Sequence, residues 1–163
     1  MRAIIRSFEV EHNRYKTTAD KAIREVRDSE LRTRSAPEAN SVAIISWHVS
    51  ANLSSKFTEF LTTDGDKSWR DRDSEFEDRD VSRAELLEQW ERGWAILFKT
   101  LSELNDEHLL QKIRVGGKPY SVHEALCRSL MHTSYHIGQI VLMARQFRGE
   151  AWQILSIPRK RKN

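Results

Sequence analysis

From Ser121 to Phe147 the chain contains one glycine and no proline, and its apolar residues recur every three to four positions. Leu126, Leu130, Ile137, Ile140, Val141 and Ala144 form the stripe of a long amphipathic helix. Ser121-Val122-His123-Glu124 opens it with a capping box, in which the serine satisfies a free amide and the glutamate reaches back. Gly149 supplies a stop. A helix of this length must cover its apolar stripe against others, so the rest of the chain is expected to be helical too.

The other segments agree. Ile4, Ile5, Phe8, Tyr15, Ala19, Ala22, Ile23 and Val26 predict a first helix from residue 1 to about 34, ended by Arg34-Ser35-Ala36-Pro37. A second runs from about Asn40 to Leu61, with a stripe of Val42, Ile45, Val49, Leu53, Phe57 and Phe60. The third opens on another capping box, Ser82-Arg83-Ala84-Glu85. Its stripe is Leu86, Trp90, Gly93, Trp94, Leu97, Leu101 and Leu104, with the tryptophans read as core or subunit-contact residues and Gly93 as room for a bulky neighbour. Thr62 to Phe76 is polar and without period, a long connection expected to pack over one end of the bundle through Trp69 and Phe76. The paired glycines of Arg114 to Tyr120 predict a short β-hairpin or tight turn before the last helix. With six glycines and three prolines in 163 residues, the expectation is an all-α bundle over residues 1–163 as a single domain, with a flexible basic tail at 158–163.

The net charge of +3 is mild. Asp64, Asp66, Asp71, Asp73 and Asp78 are interspersed around Arg70 and Arg72 and would repel phosphates, so nucleic acid is an unfavoured partner. One cysteine, Cys127, allows no intrachain disulfide. No apolar run has signal-peptide character or membrane-span length, and a cytoplasmic protein with no membrane partner is expected.

Chemistry concentrates in Met131-His132-Thr133-Ser134-Tyr135-His136-Ile137-Gly138-Gln139. Residues four apart stack on one helix face, so His132 and His136 can grip one ion, with a third ligand brought from elsewhere. They lie to one side of the apolar stripe, beside Ala125, Ser129, Gln139 and Met143. His48, at the edge of the second helix's stripe, is the best third ligand, although helical pattern alone does not select it over His12, His108 or His123. His12 reads as a surface residue. Asn52, one turn beyond His48, is a candidate to orient it or a water, and Gln139 a candidate to support the pair. Gly138 is a candidate for close helix approach. Imidazole nitrogens suit zinc, nickel, copper or iron. Three of them leave a coordination position open, able to lower the pKa of water or activate a thiol. Thr133 stands where the His-Glu-x-x-His proteases carry glutamate, so their mechanism is unsupported.

Trp47-His48, the Phe60-Leu61-Thr62-Thr63-Asp64-Gly65 to Trp69-Arg70-Asp71-Arg72-Asp73 stretch, and His132-x-x-x-His136 followed by Gly138-Gln139 together resemble the DinB-like, YfiT-like superfamily of metal-binding four-helix bundles, in particular a bacterial branch of unknown function. The resemblance covers most of the chain. It implies an up-down-down-up bundle with a long crossover between helices 2 and 3, a metal triad of His48, His132 and His136, zinc or nickel as the ion, and a homodimer. Some relatives are transferases or isomerases that use a low-molecular-weight thiol such as bacillithiol. Three expectations follow: a metal-dependent enzyme acting on a small molecule through an activated thiol or water, a non-catalytic metal- or ligand-binding stress-response dimer, and a nucleic-acid module using the basic tail.

Overall fold

Four helices make up most of the computed structural model, which describes residues 1–155 and 157. They are α1 (Ala3–Glu25), α2 (Val42–Phe57), α3 (Arg83–Glu103) and α4 (Val122–Arg148), with an antiparallel hairpin of β1 (Lys112–Val115) and β2 (Lys118–Ser121) leading into α4. The expected fold class is found: an all-α bundle with a long crossover between α2 and α3 and a short hairpin before α4. The basic tail at 158–163 lies outside the described residues. No helix of the described residues is long and apolar enough to cross a membrane.

Side-chain contacts give the helix directions. Phe8 meets His123 at one end of the bundle and Glu30 meets Arg148 at the other, so α1 and α4 run parallel. Ser50 bonds Gln89 and Thr100 bonds Phe57, so α2 and α3 are parallel to each other. Lys16 pairs with Glu91 and Arg2 bonds the carbonyl of Leu104, which sets α1 antiparallel to α3. The order is up-down-down-up, and α2 therefore runs antiparallel to α4.

Helix boundaries follow from who satisfies the end groups. Both serine capping boxes form as read, at Ser82 with Glu85 and at Ser121 with Glu124. Gly149, at φ 54°, ends α4. The first helix stops at Glu25, well short of residue 34. The guanidinium of Arg83 on α3 bonds the carbonyls of Ile23 and Val26, and the Glu30 side chain turns back to the Arg27 amide, so the chain tightens into a 3₁₀ turn. Helix α2 is shorter than expected because Thr58 is extended and Glu59 takes a positive φ of 50°.

Trp90 and Trp94 are buried core residues, and the Trp90 indole donates to Asp20 at 2.8 Å. His12 is fully buried rather than superficial, its Nδ1 bonded to the Phe8 carbonyl at 2.8 Å. Gly93 accommodates backbone, not a bulky side chain: a Cβ there would sit 2.5 Å from the Ser50 carbonyl oxygen. Gly93→Ala is expected to force α2 and α3 apart and lose about 1–3 kcal/mol, despite the better helix propensity of alanine. Denaturant unfolding of the two proteins side by side measures it, and an alanine variant as stable as the parent would refute the close crossing.

The crossover is anchored at both ends. The Asp64 carboxylate accepts the amides of Gly116 and Gly117, each at 2.8 Å, holding the hairpin turn against the end of α2. Both glycines have positive φ, which their missing Cβ makes inexpensive. At the other end the turn Asp73–Phe76 packs on α2 and delivers a buried carboxylate, Glu75, to the bundle interior.

Candidate metal centre

His48 comes from the middle of α2, and His132 and His136 from successive turns of the antiparallel α4. One nitrogen from each ring lies within 4.8 Å of the others. His48 Nε2 and His132 Nε2 are 3.1 Å apart. The ring centroids are separated by 5.1, 4.9 and 4.5 Å for the pairs 48–132, 48–136 and 132–136. Nitrogens around a tetrahedral zinc, at about 2.0–2.1 Å from the ion, stand roughly 3.3 Å from one another. The His48–His132 pair is near that spacing before any ring rotates, and a nitrogen of His136 lies within 4.8 Å of a nitrogen of each. His48 and His136 are buried and His132 half-buried.

The far side of two rings is already committed. His48 Nδ1 donates to Glu75 Oε2 at 2.7 Å. Glu75 is gripped in turn by Arg70, with Nε to Oε1 at 2.7 Å and Nη2 to Oε2 at 2.9 Å. Burial pushes the Glu75 carboxyl up, but the hydrogen bonds and charges of Arg70 and His48 outweigh it and hold the group below its ordinary value. Glu75 is thus a carboxylate, and the proton on His48 is fixed at Nδ1. His136 Nδ1 donates to Gln139 Oε1 at 3.0 Å. In both rings Nε2 is the nitrogen left to face an ion. A carboxylate or amide behind an imidazole fixes its tautomer and orientation and raises its basicity toward a metal.

Burial, with the neighbouring charges of His136, His48, Lys56 and Arg70, lowers His132 to about 3. Burial also lowers His136, against the opposing Gln139 bond. These two imidazoles are unprotonated at neutral pH, the form that binds metals. The donor set fits a divalent borderline ion, and the three histidines stand where they could hold one.

His48, His132 and His136 converge as the sequence reading arranged them, and Gln139 lies behind His136. Asn52 does not bond His48, because Glu75 occupies that ring's Nδ1. Instead Asn52 lines a cavity beside His132, with its Oδ1 buried and unpartnered. The sequence does not mark Glu75 as the partner of His48, or Arg70 as the residue that holds Glu75. Phe76 completes that side, its ring 4.5 Å from the His48 ring. His12, His108 and His123 lie outside the cluster. Gly138 makes no close approach among the described residues, since a Cβ at that position would meet none of them inside 4 Å.

A family model described as a protein of unknown function, DUF1572, matches residues 2–161. No curated protein and no solved structure matches the chain.

Proposed function

The chain belongs to the DUF1572 family, and we propose that it holds a divalent metal ion, zinc or nickel, on His48, His132 and His136. The supporting observation is the pairing of convergence with commitment: three imidazoles meet, and Glu75 and Gln139 already hold the Nδ1 protons of two of them. The DinB-like resemblance favours the same triad. An ion so held supplies Lewis acidity that can lower the pKa of a water or a low-molecular-weight thiol such as bacillithiol. The chain's own residues then orient and enclose. Arg70 and Glu75 keep His48 in one tautomer, Gln139 does so for His136, and Phe76 covers the His48 ring. The proposed activity is transfer of a thiol, or of water, to a small electrophile in the cytoplasm.

A second reading, a metal- or ligand-binding protein without turnover, is favoured by one observation. The carboxylate nearest the histidines, Glu75, has both oxygens engaged by Arg70 and His48 and is poorly placed as a proton acceptor. In either reading the protein acts as a homodimer. The outer face of α4 exposes Met131, Tyr135 and Leu142 in one stripe with the unobstructed Gly138, a surface a second copy could cover.

The test is elemental analysis of purified protein, wild type beside His48→Ala and His136→Ala, with sedimentation equilibrium on the same samples. Near-stoichiometric zinc or nickel in the wild type and its loss in both variants are expected, at twice the chain mass. Equal metal in all three would remove the triad. Conjugation of a thiol to a model electrophile by the loaded protein separates the two readings, since the non-catalytic one predicts no turnover.

A further inference from the structure

A cavity of about 90 Å³ opens beside His132, between α2, the first turns of α4 and the hairpin. That is several times the roughly 10–15 Å³ that one water needs. Phe57, Phe60, Ile113 and Val115 make much of its wall apolar.

Its charged groups are unbalanced. Lys56 and Arg128 both line it, and among the described residues no carboxylate does. The nearby acids are engaged elsewhere or peripheral: Asp64 holds Gly116 and Gly117, Glu75 holds Arg70, and exposed Asp66 reaches Lys56 at only 3.7 Å. Arg114, also on the wall, is turned onto the Gly117 carbonyl. Exposed Arg128 lies over the Tyr120 ring at 5.2 Å and has no ion pair among the described residues. Burial, opposed by Asp66 and reinforced by Arg70 and Arg128, pulls Lys56 below the usual lysine range. An added negative charge would relieve that repulsion.

Two residues of the wall each carry a buried polar atom with no hydrogen-bond partner among the described residues. The atoms are Asn52 Oδ1 and Ser129 Oγ, on residues only 6% and 3% exposed. Buried polar atoms are almost always paired, with protein or with ordered water, so these two residues carry the uncommitted polar groups beside the cavity. Helix register orders the groups. With α2 and α4 antiparallel, Asn52 and Ser129 lie about one turn from the histidines, and Lys56 about two turns, roughly 12 Å of helix axis.

We propose that this cavity binds a small amphiphilic anion, an apolar body ending in a carboxylate or phosphate. The anionic end sits between Lys56 and Arg128, polar substituents meet Asn52 and Ser129, and the other end points at His132. The guest's role as substrate rests on the metal-site reading above; its binding does not.

Zinc-loaded full-length protein is titrated calorimetrically with benzoate, phenyl phosphate and the neutral benzamide. At least one anion should bind, with benzamide about tenfold weaker or worse, and the stronger anion identifies the preferred head group. Arg128→Gln and Lys56→Gln should each weaken the anion by about tenfold while zinc content and melting temperature stay at wild-type values. Arg128 is exposed, so its variant folds even if Lys56→Gln does not. The assignment is overturned if neither anion binds, if benzamide binds equally, or if the Arg128→Gln affinity is unchanged, which would mean that the anion is taken by zinc alone. The zinc content of the wild type separates the two readings. Wild-type protein that takes up no zinc yet binds the anion in a charge-dependent way upholds the cavity and removes the metal. Wild-type protein that holds zinc without anion discrimination does the reverse.

Discussion

Glu75→Ala is expected to lower stability by about 3–5 kcal/mol and to weaken zinc binding by about 10–100-fold. Both effects come from one buried chain of contacts. Arg70, Glu75 and His48 are 7%, 3% and 3% exposed, and Glu75 is the acceptor joining the other two. Removing it strands a guanidinium in the interior, and leaving a buried charge uncompensated is among the costliest single changes a fold can suffer. It also releases the ring of His48, which can then place its proton on Nε2 and turn its lone pair away from His132 and His136. The two effects separate in the double variant Arg70→Met/Glu75→Leu. An apolar pair of similar volume should restore most of the stability, because no charge is left buried. It should not restore zinc affinity, because His48 Nδ1 still lacks its acceptor. Zinc affinity unchanged in Glu75→Ala would show that the carboxylate serves the fold and not the site.

That contact was hidden in the sequence for a physical reason. The serine boxes at Ser82 and Ser121 and the apolar periods are local signals, set by residues three or four apart, and the helices appear where those signals lie. His132 and His136 are local in the same sense. Glu75 lies 27 residues from His48, in a crossover without period and rich in both charges, where nothing distinguishes one acid from its neighbours. The family resemblance marked Arg70 within a motif but could not say what it held. His48 itself was selected by resemblance, since its α2 position is equally that of a core residue. The misplaced end of α1 has the same origin as the missed carboxylate. Arg83 terminates that helix from about 60 residues away, through the carbonyls of Ile23 and Val26. His12 shares the buried face of Phe8 and Ala19, and its place one helical turn after Phe8 is the local signal that could have marked it as interior.

Acid should destabilise the metal-free protein well before the carboxylates titrate. In the folded chain His132 protonates only at about 3, against 6.5 for a free imidazole. Between those values the unfolded chain carries a proton that the folded chain refuses, so stability falls as pH falls, by up to about 1.4 kcal/mol per pH unit from this one residue. His12 and His136, also lowered by burial, act with the same sign. Glu75 has a lower window: its contribution is intact above the ordinary glutamate value of 4.5 and is lost as pH drops through the depressed folded value. Denaturant midpoints at pH 7, 6 and 5 should therefore decline steadily, and His132→Asn should decline less steeply. A midpoint that does not move between pH 7 and 5 would contradict the buried, unprotonated state of the cluster. The zinc-loaded protein adds a sharper comparison. Metal and proton compete for the same lone pairs, so surface histidines of ordinary pKa would surrender zinc progressively below about pH 6.5. Here burial keeps the proton off His132 in the folded state at pH 5, so proton competition at His132 adds nothing to any narrowing of the gap in stability between loaded and metal-free protein from pH 7 to 5.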